Sequence, residues 1–191
     1  VQDRLVIPGK SDDARAKRSR DELAWALIGL MHEKSYDDIS VLDICERAGV
    51  GRSTFYSHFT DKDEMFVRHI VLFGEMGGQR LHWDSAANSF RFNLRFVLEH
   101  VRDMRPVYDS LARSRKVDLV INVWRNKFAE GFEKRIRESR SKDAQALPAD
   151  LLAWHLASTA INLLTWWLDH GYPLDAQAMD EHFQRLIGNL R

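Results

Sequence analysis

The chain has 191 residues, with 28 basic and 28 acidic side chains and a formal net charge of zero. At 45% hydrophobic and 29% charged it is neither disordered nor short of core residues, and the balanced charge excludes a protein that coats nucleic acid by bulk attraction. A local basic patch stays open, whereas a single cysteine, Cys45, excludes an intramolecular disulfide and a cysteine-built zinc site.

Apolar residues recur mostly at helical spacing, so the expected fold class is all-α. Residues 1–13 are polar, contain Pro8-Gly9 and read as a flexible tail. A first helix fits about 14–34, with Leu23, Leu27, Leu30 and Met31 on one face. Ser40 and Asp43 have the form of a capping box and open a short helix through Ala48. Gly49-Val50-Gly51 breaks it, and a second short helix follows over about 52–58. Thr60 and Asp63 form another box before a helix that runs to Gly74, Gly77 and Gly78, a cluster able to absorb a bend. Further on, Phe90, Leu94, Val97, Val101 and Met104 form one stripe, and Val117, Ile121, Trp124, Phe128 and Phe132 another. A long helix runs from Pro148 to Gly171-Tyr172-Pro173, and a last one carries Met179, Phe183, Leu186, Ile187 and Leu190.

The pair of short helices is a helix-turn-helix pattern. With Ile44, Ala48, Val50, Phe55 and Phe59 turned inward, Ser53 and Ser57 point outward, Thr54 and Tyr56 flank them, and Arg52 sits in the first turn. This acid-free face suits the major groove, with Arg52, Ser53, Thr54 and Ser57 toward bases. Ser40 at a helix start, Tyr56, His58 and Lys62 are placed to hold phosphates. Arg15, Lys17, Arg18 and Arg20 form a basic cluster just ahead of the first helix. The Ala48-Gly49-Val50 turn, the Thr54-Phe55-Tyr56-Ser57-His58-Phe59 helix and the Lys62-Asp63 start strongly resemble the TetR family of bacterial transcriptional regulators over about 20–70. The resemblance implies the same base-reading and phosphate-holding roles. It implies a domain over 14–72 in which a three-helix bundle carries the helix-turn-helix, followed by a larger helical domain over 73–191 for ligand binding and dimerisation. Two departures stand out: Val41 and Leu42 replace a polar reader found in some members, and Gly51 replaces a frequent Ser or Thr cap.

Leu151 to Leu168 carries no charge, but His155, Ser158, Thr159 and Asn162 interrupt it, so it reads as a buried helix and not a membrane span. Paired with the last helix, and with two copies present, it makes a four-helix homodimer interface involving Phe183, Leu186, Ile187 and Leu190. The resemblance, looser in this half, implies the same interface and a pocket for a small apolar or aromatic effector. Trp124, Phe128 and Trp166 are the expected walls, with His155 and Asn162 as polar groups. Binding there is expected to tilt the helix after Asp61 and release a palindromic operator on double-stranded DNA. No phosphate loop, nucleophile elbow or metal-ligand spacing is present in the sequence, so neither an enzyme nor a cofactor or metal is expected. The competing expectation is an adaptor or coactivator that works through a protein partner without an effector. No segment joins a basic start to an apolar run, and the expected compartment is the cytoplasm.

Overall fold

The computed structural model describes residues 10–139 and 147–188, with side chains from Ala14 onward. The described residues divide into two units: one holds those up to His69 together with Asp109–Ser114, and the other holds Ile70–Tyr108 and those from Arg115 on.

The first unit contains α1 (Lys10–Met31), a single 3-10 turn (Tyr36–Asp38), α2 (Val41–Ala48), α3 (Arg52–Tyr56) and the start of α4 (Lys62–Gly78). Helix α1 begins four residues before the expected start. The basic quartet therefore lies within α1 and not ahead of it, and tail residues 1–9 fall outside the described residues. The Ser40 box forms as read: the Asp43 N–H donates to Ser40 Oγ (3.1 Å) and the Ser40 N–H donates to Asp43 Oδ2 (2.7 Å). Gly49 ends α2 at φ 67°, a left-handed conformation that costs glycine little. The second box is shifted by one residue: Asp61 Oδ1 accepts from the Glu64 N–H (2.7 Å), and Glu64 reaches back to the Thr60 N–H (2.7 Å). Leu23, Leu27, Tyr36, Ile44, Phe55, Phe59 and Phe66 fill the core.

Six residues from much later in the chain complete this unit. They belong to α6 (Arg105–Arg113) and the residue after it. Ser110 Oγ donates to the Lys34 carbonyl (2.9 Å), and Ser114 Oγ accepts from the Asp37 N–H (3.2 Å).

The second unit adds what the sequence did not foretell, a hairpin of β1 (Leu81–Asp84) and β2 (Ser89–Phe92). Leu81 lies opposite Phe92 and Trp83 opposite Phe90. Phe90 thus sits on a strand, outside the helical stripe expected for it. Helices α5 (Leu94–Asp103), α7 (Val117–Glu138), α8 (Ala149–Asp169) and α9 (Ala176–Gly188) complete the unit. Helix α8 buries Leu156, Ile161, Leu164 and Trp167 and packs along α7. Among the described residues, no helix is long and apolar enough to cross a membrane.

The glycines of α4 serve close packing. A Cβ at Gly77 would collide with the Phe128 ring, and one at Gly78 would stand 2.6 Å from the Lys127 carbonyl oxygen and 3.1 Å from Gly131 Cα. Helix α4 runs unbroken through all three positions and presses its bare end against α7.

Candidate nucleic-acid interface

Helix α3 is short because Gly51 supplies no side-chain cap and Ser57 ends it, its hydroxyl donating to the Thr54 carbonyl (2.7 Å). Five residues suffice because Phe55 and Phe59 are buried beneath it, their ring centroids 5.7 Å apart. That anchoring leaves Arg52, Ser53 and Ser57 exposed and Thr54 half-buried on one polar face. Tyr56 is 54% exposed, its ring edge-on to Phe55. The structure therefore gathers three of the expected base readers and Tyr56 on α3, with the fourth, Ser57, at its C-terminal cap.

The other expected anchors differ among themselves. His58 is half-buried against Phe59, and burial, aided by the charges of Arg20 and Arg68, lowers its pKa. Near neutral pH it is an uncharged imidazole with one N–H to offer. Ser40 is exposed, but its hydroxyl is engaged in the box, donating to Asp43 Oδ2 (2.8 Å). Asp43 is held well below the usual carboxylate range by the Ser40 backbone N–H first, then by Lys34, whose ammonium lies 2.9 Å away. A phosphate approaching this helix end meets a carboxylate already in place.

Lys62 is engaged within the protein. Its ammonium donates to the carbonyls of Ile39 (2.6 Å), Tyr36 (2.8 Å) and Asp37 (3.3 Å), and it lies 4.6 Å from the centroid of the Tyr36 ring. Three protons meet three carbonyls, so this lysine clasps the 3-10 turn and leaves no proton for a phosphate. Tyr36 closes the knot from the other side by donating to Asp63. No spacing rule links residue 62 to carbonyls more than twenty positions earlier, so the sequence carried no sign of it. In the basic cluster, Arg18 pairs with Glu22 (2.9 Å), while Arg15 and Lys17 are exposed.

The five residues expected to line an effector pocket are not brought together. Trp124 and Phe128 are buried in the core, the Trp124 indole N–H donating to the Ile70 carbonyl (3.1 Å). His155, Asn162 and Trp166 lie on the exposed side of α8, with Trp166 stacked on His170. An all-apolar helix gives no phase to tell its inner face from its outer one, which is why the sequence merged them. The interface expectation splits likewise. Phe183 and Ile187 are core residues, Phe183 lying against Phe92 (5.9 Å), whereas Leu186 is 55% exposed. Leu190 lies outside the described residues. Leu151 and Trp154, which the sequence reading passed over, join Trp166 on the exposed apolar side of α8.

Residues 26–68 match the family model of bacterial regulatory proteins of the tetR family. An uncharacterized HTH-type transcriptional regulator, YxbF, of Bacillus subtilis (strain 168) is 32% identical over 66 residues, covering 31% of this chain and only 17% of that protein. A TetR transcriptional regulator from Streptococcus agalactiae 2603V has a similar structure, with a TM-score of 0.60 at 22% identity, covering 93% of this chain and 97% of the other. A chain assigned to the TetR family from Syntrophomonas wolfei reaches 0.65 at 18% identity, covering 91% and 95%. GusR of Salmonella enterica reaches 0.57 at 14% identity, covering 88% and 95%. At these identities the structures establish a shared fold, and the family signature rests on the helix-turn-helix segment.

Proposed function

We propose that this chain, whose residues 26–68 form a TetR-family helix-turn-helix domain, is a transcriptional regulator that reads double-stranded DNA through α3. The observation that carries the reading is the acid-free face of Arg52, Ser53, Thr54 and Ser57 on a helix pinned from below by Phe55 and Phe59. A helix of this size fits the major groove, where a guanidinium and hydroxyls meet base edges. Tyr56 and His58 sit beside it as phosphate donors.

The finer reading is a repressor acting as a homodimer on a palindromic operator. The exposed Leu151, Trp154 and Trp166 of α8, with Leu186 of α9, form the face that a second copy covers. Two reading helices related by a twofold axis then meet half-sites about 34–36 Å apart, or a multiple of that. A small-molecule effector bound by the second unit releases the operator only to the extent that it prefers one arrangement of the dimer.

Selection of binding sites from random DNA with the full chain tests the reading. The expected product is a palindrome bound in a salt-dependent manner. Recovery of no common sequence, with equal indifference to every duplex, would overturn it in favour of an adaptor. A melting screen of small molecules against the chain tests the effector.

A further inference from the structure

A groove of about 620 Å³ opens between the β1–β2 hairpin and α9, within the range of small-molecule sites. Ser89 and Gln184 are among its lining residues, with Arg91 on the strand side and Glu181 and Arg185 on the helix side. Ser89 and Arg91 are two apart on β2 and so share a face of the strand, while residues 181, 184 and 185 share a face of α9.

The amide of Gln184 is fixed. Its nitrogen donates to the Phe92 carbonyl (2.5 Å) and to Asp180 Oδ1 (3.2 Å), and both partners are pure acceptors, so the amide cannot be the other way round. Asp180 is itself tied down by the N–H groups of Leu94 (2.9 Å) and Arg95 (3.3 Å). Gln184 Oε1 is sealed from solvent and available to no ligand. The amide is therefore a rigid part of the groove wall and not a recognition group.

Recognition falls to the two guanidinium groups. Arg185 stands four residues after Glu181, the spacing of a helical ion pair, yet no such pair forms; Glu181 takes the Gln177 amide instead (3.2 Å). Among the described residues Arg185 has no ionic partner. Arg91 has only a loose one, Asp84 at 3.6 Å. Two guanidinium groups and a single carboxylate, Glu181, line the groove, so it keeps a surplus of positive charge that an anion would offset. Arg presents a planar fork that matches a carboxylate bidentately, and the Glu181 carboxylate disfavours ligands of higher negative charge.

We propose that this groove is a binding site for a small organic carboxylate, held between Arg91 and Arg185. The site is separate from the apolar effector pocket expected from the sequence, and it does not depend on the DNA-binding reading.

Calorimetric titration of the full chain at low ionic strength with acetate, succinate and inorganic phosphate tests it. The expected result is saturable binding of a carboxylate, weakened at least tenfold in both Arg185→Gln and Arg91→Gln. Arg185→Gln should leave the melting temperature of the free protein unchanged, which separates lost recognition from lost fold. Arg52→Ala serves as the control and should bind the carboxylate as the parent does. Absence of saturable binding up to 10 mM, binding of phosphate alone, or carboxylate binding that survives either guanidinium change overturns the proposal.

Discussion

Replacing Lys62 by Met keeps most of the aliphatic stem and removes the ammonium that holds the carbonyls of Tyr36, Asp37 and Ile39. The two shorter bonds, at 2.6 and 2.8 Å, are part-buried and the third, at 3.3 Å, is exposed. A charge-assisted hydrogen bond contributes about 1.5–3 kcal/mol net, but Lys62 is only half-buried, so about 1 kcal/mol for each shorter bond and nothing for the third is a fair discount. The expected loss is about 2 kcal/mol, confined to the first unit. Hydrogen exchange read on peptides covering 23–31 and 36–48 measures that unit separately, and protection there should fall while α7 and α8 keep theirs. The slope of DNA affinity against salt should stay as it is. Unchanged protection, with a salt slope smaller by about one, would show that Lys62 neutralises a phosphate after all and would refute the structural assignment.

Arg52→Ala should alter preference among operator sequences by about 1–3 kcal/mol at one position, whereas Tyr56→Phe should weaken binding to all of them alike, as read by fluorescence anisotropy on an operator panel. Gly77→Ala and Gly78→Ala should each cost about 1–3 kcal/mol through overpacking against Phe128 and Gly131, while Gly51→Ala, with only Ser53 Oγ within 4 Å, should leave the melting temperature nearly unchanged. Leu186→Glu should give a folded monomer by analytical ultracentrifugation, whereas Phe183→Ala should cost about 3–5 kcal/mol of stability, because the first residue is exposed and the second is core. Burial lowers the pKa of His69 below its ordinary 6.5, so the unfolded chain takes up a proton before the folded one does. Stability is therefore full above pH 6.5 and declines as the pH falls through it; urea midpoints from pH 7.5 to 5.5 should show this slope, and His69→Phe should flatten it.

Local chemistry was the legible part. Ser40, Asp43 and Gly49 announce the ends of α2 through residues three to nine positions apart, and Phe55 and Phe59 set the phase of α3 within a single turn. The hairpin escaped because Phe90 stands four residues before Leu94 and so continues a helical stripe on paper. The contrary signs were short: Asp84 accepting from the Ala86 and Ala87 N–H groups, and Asn88 at φ 49°. In α8 and α9 the composition was plain but the phase was not. Leu186 and Ile187 are neighbours about 100° apart on the helix, and only the packed chain decides that Ile187 is covered by its own core and Leu186 left exposed. Long-range polar contacts, such as Ser110 to the Lys34 carbonyl, lie beyond any local pattern.

The bare contact of α4 with α7 ties two distant positions into one. A Cβ on Gly78 would stand 2.6 Å from the Lys127 carbonyl oxygen, and a Cβ on Gly131 would stand 2.6 Å from Gly78 Cα. Backbone meets backbone there, so a methyl group on either helix forces the same two strands of main chain apart. Once they have separated, a second methyl group meets less resistance, and the two substitutions made together should cost less than the sum of each made alone. The sequence at residue 131 is thus conditional on the sequence at residue 78, more than fifty positions earlier.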